Sequence, residues 1–500
     1  MSAALTGARP LEAPLPSGRM YVDGRWVEGS GGSSEVIDPA TEEVVGPVAE
    51  ATAADSSTAA AAARAAQPGW ARMDPGDRAG ILARVADGIR ERAENLITLS
   101  MIEGGFTRGM ARGNVIRAGE WFDLAARATV QDHSVPTRPM ISRTMVHDTG
   151  ATRRELVNGV IQRRPVGVAA CLVPFNGPVY GVSMKAAQAL AMGNAVVVKP
   201  AQQDPLTICA LFEIIEAAGM PPGVANLVLG TDAEVAAELT RSKDVDLVSF
   251  TGSTAVGQKV YEAGAKTMKR LILELGGKGA CLIFDDADVD AAIKGMSHPW
   301  TINSGQICSA PTRALVHRQV HDQLLERMAE LAATLPVGSP FEASTVVGPV
   351  ISDLQRERIE GYVTSAIDEG AEVVAGGERP DLPRGYYVAP TLLAGCRNDM
   401  HAVRNEIFGP VITAIRFEDE DEAVAIANDT DYGLANYVYT RDIARGYRVA
   451  SRLQSGTVQM NSTAIKLDMP RGGMKMSGLG REGGEAGLHL FTEMASVVWA

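Results

Sequence analysis

Between residues 166 and 250 the chain repeats one unit, a short and almost wholly apolar run followed by a segment with helical spacing. The runs at 166–173, 195–198, 224–229 and 245–250 alternate with helical segments at 183–192, 206–218 and 233–241. A strand that is apolar on both sides must be covered on both faces, and the intervening helices supply the cover. The pattern therefore calls for an α/β fold with a parallel sheet. Ligands of such sheets sit beyond the carboxyl ends of the strands. The residues to inspect are those that follow strands: 174–178, Lys199 and 251–257.

The remainder is organised around this unit. A second αβ region at 281–471 carries a strand at 314–317, helices at 320–335 and 354–369, and a strand-like stretch at 371–374. Ahead of the repeat come a hairpin at 20–27 turning on Asp23-Gly24 and a small-residue helix at 55–66, closed by Pro68-Gly69-Trp70. Helices at 78–99 (Ile81, Leu82, Val85, Ile89 and Leu96 at helical spacing) and 115–129 follow. Residues 139–164 alternate in polarity about Asp148-Thr149-Gly150. A two-stranded ribbon of that kind is marginal alone, so it is expected to lie against another domain or subunit. Residues 1–18 read as a loose tail. A chain of 500 residues exceeds what one core organises, and two or three domains are expected.

The net charge of −13, with lysines and arginines dispersed, argues against nucleic acid or an anionic membrane as main partner. The cysteines at 171, 209, 281, 308 and 396 show neither C-x-x-C nor zinc-like spacing, so no disulfide framework or metal is expected, and free thiols fit a reducing cytoplasm. Neither a secretory leader nor a membrane span is signalled.

One cysteine differs in its setting. Cys308 follows the small-residue turn Asn303-Ser304-Gly305 and precedes Pro311, an arrangement that lets a carbonyl reach sulfur unobstructed. A lone cysteine more often just packs. Phe250 to Gly257, F-T-G-S-T-A-V-G, ends a strand and opens a helix, so Gly252, Ser253 and Gly257 frame a turn whose free N–H groups suit a phosphate; a plain tight turn reads the same way. Gly478 to Gly483 fits G-x-G-x-x-G but lacks a surrounding βαβ unit and is rejected as a dinucleotide fingerprint. Glu274, at an apolar strand end before Leu275-Gly276-Gly277, would be driven toward general-base behaviour if shielded, and is otherwise a solvated acid. Asn176, in Pro174-Phe175-Asn176-Gly177-Pro178, offers an amide donor on a stiff loop, or is an ordinary turn asparagine.

F-T-G-S-x-x-x-G, E-L-G-G-K, G-Q-x-C, E-x-F-G-P (Glu406 to Pro410) and G-G-x-K-x-S-G-x-G-R-E (Gly472 to Glu482) occur here in the order seen in the aldehyde dehydrogenase superfamily, and the chain resembles that family from about Met20 to its end. The resemblance implies Cys308 as nucleophile, Glu274 as general base, and Asn176 with the Cys308 backbone N–H as oxyanion donors. Lys185 and Asn461 match positions that support the catalytic loop. Val173, Pro174, Phe175, Lys199, Gln202, Gly252, Ser253, Gly257, Leu275, Glu406 and Phe408 match cofactor-binding positions.

The implied architecture is a Rossmann-like cofactor domain (19–140 and 165–275), an α/β catalytic domain (276–475) and a β oligomerisation ribbon (141–164 and 485–500) that makes a homodimer or homotetramer. The implied reaction is NAD(P)-dependent oxidation of an aldehyde to its acid through a cysteine thiohemiacetal and thioester. Two alternatives stand beside it, a CoA-acylating semialdehyde dehydrogenase and a non-catalytic binding protein on the same scaffold.

Departures from the family pattern bear on specificity. Gln202 stands where many NAD-preferring relatives have glutamate, which removes the repulsion of a 2′-phosphate; NAD is expected and NADP admitted. Phe175 replaces a common tryptophan. Met184, Ile302 and Arg471 replace frequent pocket aromatics, and Arg471 either binds a substrate carboxylate or turns to solvent.

Overall fold

The computed structural model describes residues 15–145 and 149–500. Most of the predicted tail, and Asp148 of the predicted ribbon turn, lie outside the described residues.

Two sheets carry the fold. The first has the strand order Arg25–Val27, Met20–Val22, Ala225–Leu227, Ala195–Lys199, Val168–Leu172, Leu247–Thr251, Arg270–Glu274, Gly478–Leu479. Its five inner strands run parallel, and antiparallel strands guard both edges. Val168–Leu172 lies centrally: the chain proceeds from it to one side through two strands, then crosses back to Leu247–Thr251 on the other. That reversal opens a crevice at the carboxyl ends of the two neighbouring strands, where residues 173–178 and 252–257 emerge. The strands of this sheet are apolar on both faces because helices cover both, as the repeat pattern requires.

The second sheet has the order Glu372–Ala375, Thr391–Ala394, Val411–Phe417, Arg313–His317, Ala280–Ile283, Ala435–Tyr439, Thr457–Met460, all parallel except the first pair. Its strands divide their side chains between two cores, Leu282 and Leu315 to one and Cys281, Ile283, Ala314 and Val316 to the other, as the two-residue period of a strand demands. A third sheet forms on Thr152–Pro165, which pairs with Met140–Met145 along one half and Thr492–Trp499 along the other. The predicted ribbon segment 485–500 is divided: Leu488 and Phe491 lie in the core of the first sheet, and only Thr492–Trp499 joins the ribbon.

The helices expected at 115–129 and 183–192 begin earlier, at Arg108 and Pro178, and the two before them differ further. The first runs Ala53–Arg72, through Pro68, where the sequence suggested closure. Its last turn is held from outside, since buried Gln67 donates to the Gly193 carbonyl at 3.0 Å and the Trp70 indole donates to the Leu190 carbonyl at 3.0 Å. The single helix expected at 78–99 is two, Pro75–Glu91 and Ala93–Gly104, broken at Arg92. Both pack into one core, so their apolar spacing reads as continuous. No helix among the described residues is long and apolar enough to cross a membrane.

Candidate active site

The cysteine turn is built from strained backbone. Asn303, Ser304 and Gly305 all have left-handed φ, at 48°, 50° and 76°. At Gly305 a Cβ would lie 2.1 Å from the Gly409 carbonyl oxygen, so only glycine lets the turn press onto the Gly409-Pro410 backbone. The Ser304 hydroxyl donates to the Gly348 carbonyl at 2.7 Å, and the Ile351 N–H donates to Gln306 Oε1 at 3.0 Å. These ties project Cys308 from a fixed support. It is the one free cysteine among the described residues that is not fully buried.

The predicted partners gather around it. The Asn176 amide donates to the Gln306 carbonyl at 3.0 Å, two residues from Cys308, which leaves a second N–H for an incoming oxygen. Gly277 lies against the cysteine itself: a Cβ there would stand 2.3 Å from the Cys308 carbonyl oxygen. Glu274, against the Gly472 backbone, acts on Cys308 through its charge. Its Oε1 is sealed from water and unpartnered, 2.6 Å from where a Cβ of Gly472 would lie. Desolvation, aided by the charge of Glu482, raises its pKa well above the ordinary carboxylate range, while Lys185, Arg481 and Arg471 pull the other way. A carboxyl in that state exchanges protons at mild pH.

The Cys308 thiol is pushed up to about 12, by desolvation first and then by the Glu406 and Glu274 charges, with the backbone N–H groups of Ser309 and Cys308 opposing. At rest it is a thiol, and attack requires a group to receive its proton. Burial raises other thiols as well, Cys171 to about 12 and Cys396 to about 11.

The remaining predicted positions lie along the crevice at the strand ends. Glu406 accepts the Gly277 N–H at 3.0 Å, with Gly276 close by, and burial raises it to about 7. Phe408, at φ 58°, sets its ring edge-on to Phe175 at 5.8 Å, and Val173 and Pro174 complete that wall. Leu275 packs where Gly257 has no side chain, which fixes the start of the helix Thr254–Ala265 against the strand end. Gly252 and Ser253 stand ahead of that helix, and buried Thr251 Oγ1 is unpartnered. Unsatisfied N–H groups at a helix start, on a turn open to approach, form an anion cradle. At the far end Lys199 is lowered to about 8 by desolvation, opposed by Glu50, and Gln202 lines a small cavity with Glu50, Pro200 and Leu229.

Other residues fall in unexpected places. Lys185 does not reach the cysteine turn: it is wholly buried, paired with Glu482 and donating to Ser249 Oγ at 2.9 Å. Glu482 also accepts from Ser249 at 2.9 Å. Asn461 bonds Thr440, accepting its N–H at 3.1 Å and donating to its carbonyl at 2.9 Å. The segment rejected as a fingerprint runs antiparallel to the Glu274 strand, Gly478 opposite Glu274, and delivers Glu482 to Lys185. Met184 and Ile302 are half-buried, as is Arg471, whose Nη2 donates to the Tyr180 hydroxyl at 2.5 Å. Sequence reading gave no role to Glu482, Tyr180 or Ser477, whose hydroxyl donates to the Gly276 carbonyl at 2.6 Å and accepts the Gly433 N–H at 2.9 Å. A lone lysine in the uncharged segment Pro178–Ala191 was the available signal for a buried acidic partner.

Residues 26–497 match the family model described as "Aldehyde dehydrogenase family". The chain is 37% identical over 485 residues to a betaine aldehyde dehydrogenase of Bacillus subtilis, covering 96% of each. It is 36% identical over 506 residues to an aldehyde dehydrogenase of Aspergillus niger, covering 99% of this chain and 97% of that one. A crystal structure of betaine aldehyde dehydrogenase from Staphylococcus aureus in complex with NAD+ superposes with a TM-score of 0.91 at 35% identity, over 97% of this chain and 95% of that one.

Proposed function

Since the chain belongs to the aldehyde dehydrogenase family and is an oxidoreductase of aldehydes, we propose that Cys308, Asn176 and Glu274 carry out its reaction, the NAD-dependent oxidation of an aldehyde to a carboxylic acid. The carrying observation is a half-buried thiol on a turn that the Asn176 amide bonds, within reach of the charge of Glu274, whose Oε1 is sealed and unpartnered.

The aldehyde oxygen lies between the Asn176 amide and the backbone N–H of Cys308, where fixed donors favour the negative charge that forms as sulfur adds to the carbonyl carbon. The thiol proton passes to Glu274, whose raised affinity for protons suits it to receive one. Bound NAD supplies the hydride acceptor that turns the thiohemiacetal into a thioester. Glu274 gives that proton up to solvent and, ionised again, takes a proton from water as the water adds to the thioester, and Cys308 leaves as thiolate. NAD fits the residues present: the helix start behind Gly252 and Ser253 suits its pyrophosphate, Lys199 and Gln202 its adenosine ribose, Glu406 its nicotinamide ribose, and Phe175 and Phe408 the ring's flank. NAD-bound relatives support the choice. With no carboxylate at Gln202, slower use of NADP is consistent with the site.

Retention of Glu274 favours water over CoA as the group that resolves the thioester. We assign cofactor binding to 19–140 and 165–275, catalysis to 276–475, and subunit association to the ribbon, whose Met140, Ile141, Leu156, Val498 and Trp499 are exposed apolar side chains. Five free cysteines support a cytoplasmic setting. The test is NADH formation across an aldehyde panel, with and without CoA, beside Cys308→Ala. Turnover independent of CoA and abolished in the variant is expected; full activity of Cys308→Ala would refute the assignment.

A further inference from the structure

Beside Glu274 the chain carries a cation that forms no ion pair among the described residues. Arg471 is half-buried and forms no ion pair within 4.0 Å among the described residues, whereas buried Lys185 is matched by Glu482. One of its donors is used: Nη2 donates to the Tyr180 hydroxyl at 2.5 Å, and the guanidinium carbon stands 5.8 Å from the centre of the Tyr180 ring. Its Nε is sealed from water without a partner.

The backbone keeps this side chain in place. Arg471 N and Glu482 N each donate to the other residue's carbonyl at 2.7 Å, and at the next residue, Gly472, a Cβ would lie 2.6 Å from Glu274 Oε1. Arg471 is thus tied to the strand that carries the base, and its charge acts on Glu274. The facing wall is the helix Pro178–Ala191, which presents Tyr180 and, four residues on, Met184 from one face, just beyond the loop that bears Asn176.

Charge and shape exclude one substrate class and favour another. A quaternary ammonium is bound by several aromatic faces. Here Met184, Ile302 and Arg471 are not aromatic, the Tyr180 face is taken by a guanidinium, and that guanidinium repels a cation. Lys185 is neutralised by Glu482, which leaves Arg471 as a half-buried cation on this side of Glu274 without an ion-pair partner among the described residues. A planar fork of N–H donors with most of its capacity unmet is matched by a two-oxygen anion.

Resting on the aldehyde-oxidising reading above, we infer that the substrate is an aldehyde bearing a carboxylate at its far end, received by Arg471 with Tyr180 holding the guanidinium. The relatives named for betaine aldehyde therefore share the chemistry and differ in the group recognised.

The test uses the full-length enzyme with NAD and three aldehydes of similar size: 4-oxobutanoate, butanal and trimethylammonioacetaldehyde. Wild type is expected to favour 4-oxobutanoate, mainly through KM. In Arg471→Met the ratio of kcat/KM for 4-oxobutanoate over butanal should fall by about 15- to 150-fold, the range for losing a hydrogen bond to a charged group. Arg471→Lys should retain part of the preference. A wild-type preference for the trimethylammonium aldehyde, or an equal loss on all three substrates in Arg471→Met, would overturn the inference. A second measurement needs no turnover: the rate at which iodoacetamide alkylates Cys308, followed by peptide mass, with succinate or its diamide as protectant. Succinate should protect wild type and not Arg471→Met, and the diamide neither; equal protection by both in both proteins refutes the anion site. Failure of all aldehydes to react, with selective succinate protection intact, would instead refute the catalytic reading and leave the anion site standing.

Discussion

Lys185 and Glu482 offer a prediction whose size follows from burial. Both side chains are shut off from water and share Ser249 as a common hydrogen-bond partner. Lys185→Met leaves a carboxylate in the interior with only a hydroxyl for company, which costs about 3–5 kcal/mol. A cooperative unit of about 250 residues gains on the order of 0.5 kcal/mol per degree of unfolding entropy, so the midpoint should drop by about 6–10 °C. Scans at matched rates of wild type, Lys185→Met, Glu482→Gln and the double variant measure it. The double variant, lacking both charges, should regain more than half of the loss. Kinetics supply a second readout, because Glu482 raises Glu274 and Lys185 lowers it. The acidic limb of the rate profile should move to lower pH in Glu482→Gln and to higher pH in Lys185→Met. A drop under about 2 °C, strictly additive single effects, or limbs that move together would refute the reasoning.

Glu406 gives a pH dependence of stability. Its folded value of about 7 lies above the ordinary 4.5, so the folded state keeps its proton longer than the unfolded chain does. The stability is fully present below the unfolded value and falls by roughly 3 kcal/mol as pH rises toward 7. Glu406→Gln should remove that decline and exceed wild type in melting temperature at pH 8 but not at pH 4; parallel curves would count against a buried, proton-retaining carboxyl. Gly277→Ala places a Cβ 2.3 Å from the Cys308 carbonyl oxygen and 3.2 Å from Leu434 Cβ, so the cysteine must shift. A displacement of that order should lower kcat by about 100-fold with folding retained, and more than half of wild-type activity would show that the turn tolerates the methyl.

Strand positions in the first sheet were legible because burial on both faces writes an apolar run into the sequence, as in Val168–Leu172 and Leu247–Thr251. Residues that follow such strands, Asn176, Gly252 and Glu274, could be picked out before any geometry was known. Helix ends were less legible. Pro68 is a local stop signal overridden by Gln67 and Trp70, whose partners lie more than a hundred residues away. Arg92 breaks a helix without disturbing the spacing of the apolar residues around it. Least legible were pairings across the whole fold. Glu482 and Lys185 are 297 positions apart, and Arg471 and Tyr180 are 291. No period or spacing links such residues, and their roles emerge only when the last glycine-rich segment is seen lying along the Glu274 strand.

The central claim is that Cys308 carries the substrate as a thioester and that Glu274 releases it. The direct measurement is rapid mixing of Glu274→Gln with aldehyde and NAD, followed by intact and peptide mass analysis. One NADH per active site, then arrest, with the acyl mass of the substrate added at the peptide bearing Cys308, is the predicted result. Unchanged steady turnover in Glu274→Gln, or a burst with no adduct on Cys308, would contradict it.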